Sequence, residues 1–213
     1  MRPPDDLRAA PVTLAIAALT AAAWLVAWIG GWQEVAAVGG GFIPARVAGL
    51  PGDDLPIPVL LTPLSATLVH SGFAHLFLNL IILLFCGRSV ERVLGGRGIV
   101  ILYLVGAYAA AAAQYAAGPG ETVPMVGASG AISAVLGAFA LLFGRNKVKV
   151  ASPRLASLIH ALWLAAAWIG IQLLVGQTFE TSGLRIAIFA HIGGFVAGLL
   201  LAKPLLLLKW RGA

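Results

Sequence analysis

Long apolar runs separated by short polar connections occupy most of the chain. Six runs can be marked, and they lie at about 12–30, 71–88, 98–117, 127–143, 155–176 and 186–208. Most of them approach the roughly 20 residues that a helix needs to cross the hydrocarbon core of a bilayer. The pattern therefore predicts an all-α integral membrane protein, in which residues 1–213 form a single membrane domain with six transmembrane helices.

The connection between the first two runs, from Gly31 to Val69, differs from the others. It is rich in glycine and proline and carries acidic residues such as Asp53 and Asp54, yet it also contains the apolar stretch VLLTPLSATLV. It is too long for a turn and too often interrupted for a simple span. We expect a loop that is partly embedded in the membrane interface.

The composition supports the membrane assignment and excludes several other classes. Only 10% of the residues are charged and 60% are hydrophobic, with a mean hydropathy of +0.96, whereas a soluble domain is nearer to a quarter charged. The net charge of +6 does not indicate a nucleic-acid partner, because the basic residues are scattered among the connections. The single cysteine, Cys86, lies in an apolar run, so we expect no disulfide framework, and the sequence shows no paired metal-ligand spacing.

The basic residues predict the orientation of the helices. Twelve of the 14 fall on one side of the six-span topology, which is then the cytoplasmic side, and the other side holds Arg46 and Arg185. Both termini would be cytoplasmic, and the first run would be a retained span rather than a signal peptide. The Ala- and Gly-rich composition suggests a GC-rich bacterium, and we expect the protein in the bacterial inner (plasma) membrane. The twelve are Arg2, Arg8, Arg88, Arg92, Arg97, Arg145, Lys147, Lys149, Arg154, Lys203, Lys209 and Arg211.

A hydroxyl group, that of Ser129, lies in the apolar stretch VGASGAISAVLGAF between small residues that include Gly127 and Gly130. Small neighbours remove bulk from around the oxygen and let other backbones approach. Taken alone, the motif is typical of a helix start with small packing residues. A histidine in another apolar run, His191 in AHIGGFVAG, adds a second interpretation. An intramembrane serine and histidine suggest a nucleophile and its base.

The predicted topology places Ser129 and His191 at a similar depth in the membrane. From Ser129 to Phe143 the fourth helix covers about 22 Å, less than the roughly 30 Å of the hydrocarbon core, so its outer start should be sunken. His191 follows about 9 Å into the sixth helix. The Gly194-x-x-x-Gly198 spacing is typical of close helix packing, and it would bring His191 towards Ser129 if the fourth helix is its partner.

The second run contributes a third set of polar residues, in HSGFAHLFLNLI. His75 and Asn79 are four positions apart and share a helix face, while His70 lies just outside the helix. In one interpretation these side chains join helices by hydrogen bonds. In the other, His75 and Asn79 line an outward-facing cavity and offer donors to a developing oxyanion.

Together, the segments HSGFAHLFLN, GASG and AHIGGFVAG resemble the rhomboid family of intramembrane serine proteases, in its basic six-helix form without a seventh helix or a large extra domain. The resemblance implies a rhomboid-like bundle in which Ser129 is the nucleophile and His191 its general base. It implies an oxyanion site made of the Ser129 backbone N–H, His75 and Asn79, with His70, Gly127, Gly130, Gly194 and Gly198 as structural residues near the site. Glu91, at the cytoplasmic end of the second helix, would belong to a structural network. Because Glu91 is the only acid that we place in or beside a helix, a dyad is predicted rather than a triad.

Two positions depart from the family's pattern. Many members have Trp-Arg in the first long loop, where Leu61-Thr62 stands here, and some have an aromatic residue at the position of Ser133. Ser133 lies one turn below Ser129 on the same face. We hypothesise that its hydroxyl, directly or through a water, accepts a hydrogen bond from the His191 imidazole. The alternative is that it bonds to a carbonyl of its own helix or simply keeps the cavity small.

The implied substrates are membrane proteins, cleaved in or near a transmembrane segment at small residues. The other implied partner is the surrounding membrane lipid; no nucleic acid, metal or cofactor is implied, and no particular oligomeric state. Two other classes remain open. A non-catalytic relative that binds membrane clients would lack the serine or the histidine, and a small transporter or channel would carry polar residues through the full membrane depth.

Overall fold

A computed structural model describes residues 10–49, 55–144, 150, 152–180 and 187–210, of which 154, 175–180 and 210 are described by their backbone alone. This part of the chain is helical, with a single isolated β-bridge between Phe42 and Met125, so the prediction of an all-α protein is confirmed. The helices are α1 (Pro11–Ile29), α2 (Gln33–Gly40), α3 (Pro44–Val47), α4 (Thr62–Ser65), α5 (Phe73–Ile82), α6 (Arg88–Ala117), α7 (Ser129–Phe143), α8 (Pro153–Glu180) and α9 (Ile188–Trp210).

The second and third apolar runs are joined differently from the prediction. A π-helical turn, Leu83–Gly87, leads from α5 directly into α6, so the expected connection between residues 88 and 98 is not a loop. Within α6 only Gly95 leaves helical geometry, with φ of +80° and ψ of 169°. Glycine has no Cβ and can adopt this conformation at little cost. The second and third apolar runs are therefore separated by a break at one glycine, whereas the sequence suggested a connection of several residues.

Within the described residues, four helical segments are long and apolar enough to cross a membrane: Pro11–Ile29, Phe73–Ala117, Leu155–Leu174 and Ile188–Lys209. The 45-residue segment contains the break at Gly95 and therefore covers two of the predicted runs. The 15 residues of α7 extend over only about 22 Å. The protein is an integral membrane protein, and the count of six spans stays a prediction.

Three helices, α6, α7 and α9, enclose the core. Buried apolar side chains from all three meet there, among them Ile99 and Leu102 of α6, Val135 of α7 and Ala202 of α9. Gly194 and Gly198 of α9 lie directly against α7. A methyl group added at either would overlap a backbone carbonyl oxygen of α7, that of Gly130 or of Ala134 respectively. The two helices thus touch backbone to backbone, as the small-residue spacing predicted.

At one end of the bundle, Glu91 and Lys209 join neighbouring helices through polar contacts. The Glu91 carboxylate accepts hydrogen bonds from the backbone N–H groups of Val12 (2.9 Å) and Thr13 (2.7 Å) and from the Thr13 hydroxyl (2.6 Å). It thereby satisfies free donors at the start of α1. Lys209 Nζ donates to the carbonyls of Arg92 and Val93, both at 3.1 Å. The start of α1, the residues before the break in α6 and the end of α9 therefore lie at the same end.

Several residues used to predict the orientation lie outside the described part of the chain. They are Arg2, Arg8, Arg145, Lys147, Lys149, Arg185 and Arg211, together with the side chain of Arg154 and the acids Asp53 and Asp54.

The long first connection folds against the opposite end of the bundle. Besides α2, α3 and α4, it contains single 3₁₀ turns at Val59–Leu61 and Ala66–Leu68. The Tyr108 hydroxyl of α6 donates to the Leu60 carbonyl at 2.9 Å. Leu60 and Leu61 are 73% and 52% exposed, as expected of a loop in contact with the membrane interface, whereas Thr62 is fully buried.

Candidate active site

The turn before α7 places Ser129 at the first residue of that helix. Gly127 has φ of +112°, in the region that favours glycine, and its N–H donates to the Ala66 carbonyl at 2.9 Å. The next N–H, that of Ala128, donates to Nε2 of His70 at 3.4 Å. These contacts hold the backbone on the N-terminal side of Ser129 against the first long connection.

His70 acts in this structure as a buried acceptor. Its side chain is 2% exposed, and its ring lies 5.0 Å from that of His75 in an edge-on arrangement. Burial, with a smaller contribution from His75, lowers the pKa of His70 to about 4. The imidazole is therefore neutral at physiological pH, and Nε2 is free to accept the Ala128 N–H.

Ser129 and His191 are in direct contact. Ser129 Oγ lies 2.8 Å from His191 Nε2, although the two residues are 62 positions apart in the chain. The close approach of their helices makes this contact possible, because Gly194 of α9 rests on the carbonyl of Gly130. Gly130 itself faces Ala110 of α6, whose Cβ would lie 2.5 Å from a methyl group added at position 130.

Both residues line a cavity of about 800 Å³, and the two residues predicted from the second run line it as well. The His75 ring lies against the Gly127 backbone, where an added Cβ would be 2.7 Å from Nε2 of His75 and 3.8 Å from Nδ2 of Asn79. His75 and Asn79 are therefore grouped around the backbone that leads to Ser129. The polar residues of the lining are Thr67, Ser71, His75, Asn79, Gln114, Glu121, Ser129 and His191.

The hydrogen bonds of His75 and Asn79 stay local. Asn79 Nδ2 donates to the His75 carbonyl at 3.0 Å, and His75 Nδ1 lies 3.1 Å from the Ser71 hydroxyl. Among the described residues, neither side chain hydrogen-bonds to another long helix. This arrangement does not favour the interpretation in which they join helices, and it leaves one amide N–H of Asn79 and Nε2 of His75 available at the cavity.

Ser133 does not bond directly to the histidine, so the direct form of our hypothesis is wrong. Its hydroxyl donates to the Ser129 carbonyl at 2.8 Å, which is the alternative arrangement. A helical serine reaches the carbonyl four residues earlier without leaving its own helix, and this local bond competes with any longer contact.

An amide that the motif analysis missed occupies the other side of the imidazole. Gln172 of α8 is 6% exposed, and its Oε1 lies 2.9 Å from His191 Nδ1. One turn earlier on α8, Trp168 Nε1 donates to the His191 carbonyl at 3.3 Å. The available signal was a single amide within the apolar end of the fifth run, because intramembrane polar groups are rare and tend to be functional.

Acidic residues are more widely distributed than the sequence analysis allowed. The prediction that Glu91 is the only acid in or beside a helix is wrong, since α2 contains Glu34 and α8 ends at Glu180. A carboxylate also lines the cavity: Glu121 Oε2 accepts a hydrogen bond from Gln114 Nε2 at 2.9 Å. In the described part of the chain, however, the ring nitrogens of the α9 histidine bond to a hydroxyl and an amide rather than to an acid.

Comparisons with known proteins identify the family. The Rhomboid domain model matches residues 59–208. RHOMBOID-like protein 4 of Arabidopsis thaliana is 31% identical over 146 residues, which cover 68% of this chain and 34% of that protein. Rhomboid protease GlpG of Pectobacterium atrosepticum is 27% identical over 198 residues (92% and 63%). Rhomboid protease GluP of Bacillus subtilis is 30% identical over 146 residues (68% and 25%).

The matches therefore cover between a quarter and just under two thirds of the length of these relatives. The family model, in contrast, covers more than half of this chain and includes every residue of the cavity discussed above. The chain belongs to the rhomboid family.

Proposed function

We propose that the protein is an intramembrane serine endopeptidase that cleaves transmembrane segments of other membrane proteins with a dyad of Ser129 and His191. The observation that carries the proposal is the 2.8 Å contact between Ser129 Oγ and His191 Nε2 at the wall of an 800 Å³ cavity. Membership of a family whose matched relatives include named rhomboid proteases supports the same chemistry.

The geometry supports a two-step acyl transfer. Ser129 Oγ attacks the substrate carbonyl carbon while its proton passes to Nε2 of His191. When the tetrahedral intermediate collapses, the imidazolium gives this proton to the leaving amine nitrogen and an acyl-enzyme remains. Water from the cavity then attacks the ester carbonyl, again losing a proton to Nε2, and the collapse of the second intermediate returns a proton to Ser129 Oγ. No metal or cofactor takes part in this sequence.

The oxyanion of each tetrahedral intermediate would form beside the backbone N–H of Ser129. Asn79 and His75 would supply the other donors, because both line the cavity next to Gly127. A donor placed for charge that exists only in the transition state typically contributes about 3 kcal/mol. His70, whose Nε2 accepts the Ala128 N–H, would keep this backbone in place rather than contact substrate.

The substrate class follows from the placement of the site. A transmembrane helix hides its carbonyl groups in hydrogen bonds and must unwind before the serine can attack one. The small residues around Ser129 leave room for an unwound segment, and small substrate residues at the cut would fit best. We place the cavity on the outer side of a bacterial inner membrane, with six spans and both termini in the cytoplasm, as the distribution of basic residues predicts.

A serine-directed fluorophosphonate tests the proposal directly. Purified protein in detergent should be labelled at Ser129 and should cleave a transmembrane substrate, and Ser129→Ala should lose both activities. Ser133→Ala is the matched control, because it removes a hydroxyl one turn away that is bonded to its own helix. Cleavage by Ser129→Ala at the wild-type rate would exclude the mechanism. A stable wild-type protein that is neither labelled nor active would favour a non-catalytic client-binding protein.

A further inference from the structure

We infer that Gln172 is a positioning residue for the proposed reaction: its side-chain carbonyl holds the His191 imidazole in the tautomer that can accept the Ser129 proton. The inference rests on the proposed roles of Ser129 and His191. It assigns a part in setting up the base to α8, whose described side chains do not line the cavity.

The imidazole lies between two partners at its two nitrogens. Nε2 faces Ser129 Oγ at 2.8 Å, and Nδ1 faces Gln172 Oε1 at 2.9 Å. Gln172 is 6% exposed and does not line the cavity, so a bound substrate would not touch it. An effect of Gln172 on the reaction must therefore be indirect, and its hydrogen bond to the histidine is the direct route to the reacting atoms.

The chemistry of neutral imidazole makes the second partner important. The ring carries one N–H, and it can accept a proton at Nε2 only if this N–H is on Nδ1. A carbonyl oxygen beside Nδ1 can accept this N–H but cannot donate to a bare Nδ1, and it therefore favours the reactive tautomer. The same carbonyl dipole stabilises the imidazolium that forms during each proton transfer.

An amide suits this position better than a carboxylate would in an apolar environment. A carboxylate beside the histidine would have to be desolvated as an ion, at a much larger cost than a neutral amide. Within the described residues, the imidazole has no acid among its hydrogen-bond partners, so Gln172 takes the place that an acid has in a triad.

The neighbouring turn of α8 fixes the amide relative to the ring. Trp168 and Gln172 are four residues apart and face α9 together. The Trp168 ring stacks on Phe195 with centroids 5.0 Å apart, and its Nε1 donates to the His191 carbonyl at 3.3 Å. Two contacts from α8 thus bracket His191, one to its backbone and one to its side chain.

The first test compares Gln172→Met with Gln172→Glu. Methionine keeps the length of the side chain but cannot accept the Nδ1–H, whereas a glutamate oxygen can accept it in either protonation state. We expect Gln172→Met to lower kcat about tenfold, equivalent to about 1.4 kcal/mol, with KM and thermal stability unchanged. We expect Gln172→Glu to restore kcat to within about threefold of the wild type, a residual loss of less than 1 kcal/mol.

Trp168→Phe is the control for helix docking. It removes the neighbouring hydrogen bond from Trp168 Nε1 to the His191 carbonyl but keeps an aromatic ring against Phe195 and leaves the imidazole contact in place. If kcat falls as much in Trp168→Phe as in Gln172→Met, the effect comes from the docking of α8, and the inference is wrong. An unchanged kcat in Gln172→Met would overturn it equally.

Nitrogen NMR of histidine-labelled protein gives a readout that does not depend on activity. The His191 signals, assigned by their loss in His191→Ala, should show the proton on Nδ1 in the wild type and a mixture of tautomers in Gln172→Met. The same mixture in both proteins would exclude a positioning role. If the wild type lacks protease activity but shows the Nδ1–H tautomer, the proposed function fails while the assignment of Gln172 stands.

Discussion

Two of the helices that pack against α9, namely α7 and α8, contact it in different ways. α7 meets α9 through backbone, at glycines where an added methyl group would overlap a carbonyl oxygen, and eight of its 15 residues are buried. α8 meets α9 through side chains such as Trp168 and Gln172. Only 11% of the most apolar part of its segment Leu155–Leu174 is buried. His191 lies between the two, with one ring nitrogen towards each helix.

The difference shows how a serine and a histidine can be aligned in a protein that is mostly surrounded by lipid. Backbone contact between α7 and α9 at Gly194 and Gly198 leaves little freedom in the spacing of the two helices, because no side chain at these two points can change rotamer. The orientation of the imidazole is a separate requirement, and a side chain on a more exposed helix meets it. Substitutions at the contact between α7 and α9 should therefore change mainly thermal stability. Substitutions at the contact between α8 and the imidazole should change mainly kcat.

His191→Ala removes the residue on which both helices converge, and it should have the largest effect. We expect fluorophosphonate labelling and cleavage to fall by roughly 100- to 10,000-fold, the usual contribution of a positioned general base. The change in thermal unfolding should be small, because the α7–α9 contact is made by glycines. Labelling at the wild-type rate would mean that another group activates Ser129.

Asn79→Ala tests the part of the cavity wall that α5 forms, rather than α7 or α8. Its amide should act only on the transition state, so kcat should fall by roughly 100-fold while KM changes little. Steady-state cleavage of one substrate, with thermal unfolding measured in parallel, separates the two interpretations of this residue. A loss of stability with unchanged turnover would instead identify Asn79 as a residue that stabilises the bundle.

Gly198→Leu and Gly170→Leu compare the packing of α9 against α7 with the outer surface of α8. At Gly198 any side chain meets the Ala134 carbonyl, whereas nothing lies within 4 Å of a Cβ added at Gly170. The first substitution should destabilise the protein by about 3 kcal/mol or more, as overpacking of a core does. The second should be neutral or slightly stabilising, since glycine costs a helix roughly 0.5–1 kcal/mol relative to alanine. Similar melting temperatures for the two variants would contradict the difference between α7 and α8.

Ser133→Ala should have the smallest effect. The Ser133 hydroxyl bonds to the Ser129 carbonyl in its own helix, and it is not a partner of the imidazole. We expect kcat within about threefold of the wild type and a stability change of at most about 1 kcal/mol, the usual net contribution of one hydrogen bond. A tenfold loss of kcat at unchanged stability would show that the hydroxyl acts on His191 after all, and this would weaken the case for Gln172.

Much of the fold could be predicted because its signals are local. Each of the six apolar runs lies within or largely within a helix, and α7 begins two residues after the predicted start at 127. The exception is the connection predicted between residues 88 and 98, where charged and glycine residues suggested a loop. Hydropathy does not distinguish a loop from a helix with one break, and only the backbone conformation of Gly95 shows the difference.

The sequence by itself determined that this is an all-α membrane protein, and it pointed to the residues of the cavity. Apolar runs of a given length form helices in lipid whatever their neighbours, and a serine and a histidine stand out against an apolar background. Only the tertiary structure decided which of the other polar side chains meets His191. Gln172 reaches His191 and Ser133 does not, because this depends on the relative depth and rotation of α7, α8 and α9. Those quantities are set by packing between helices, which no local pattern along the chain records.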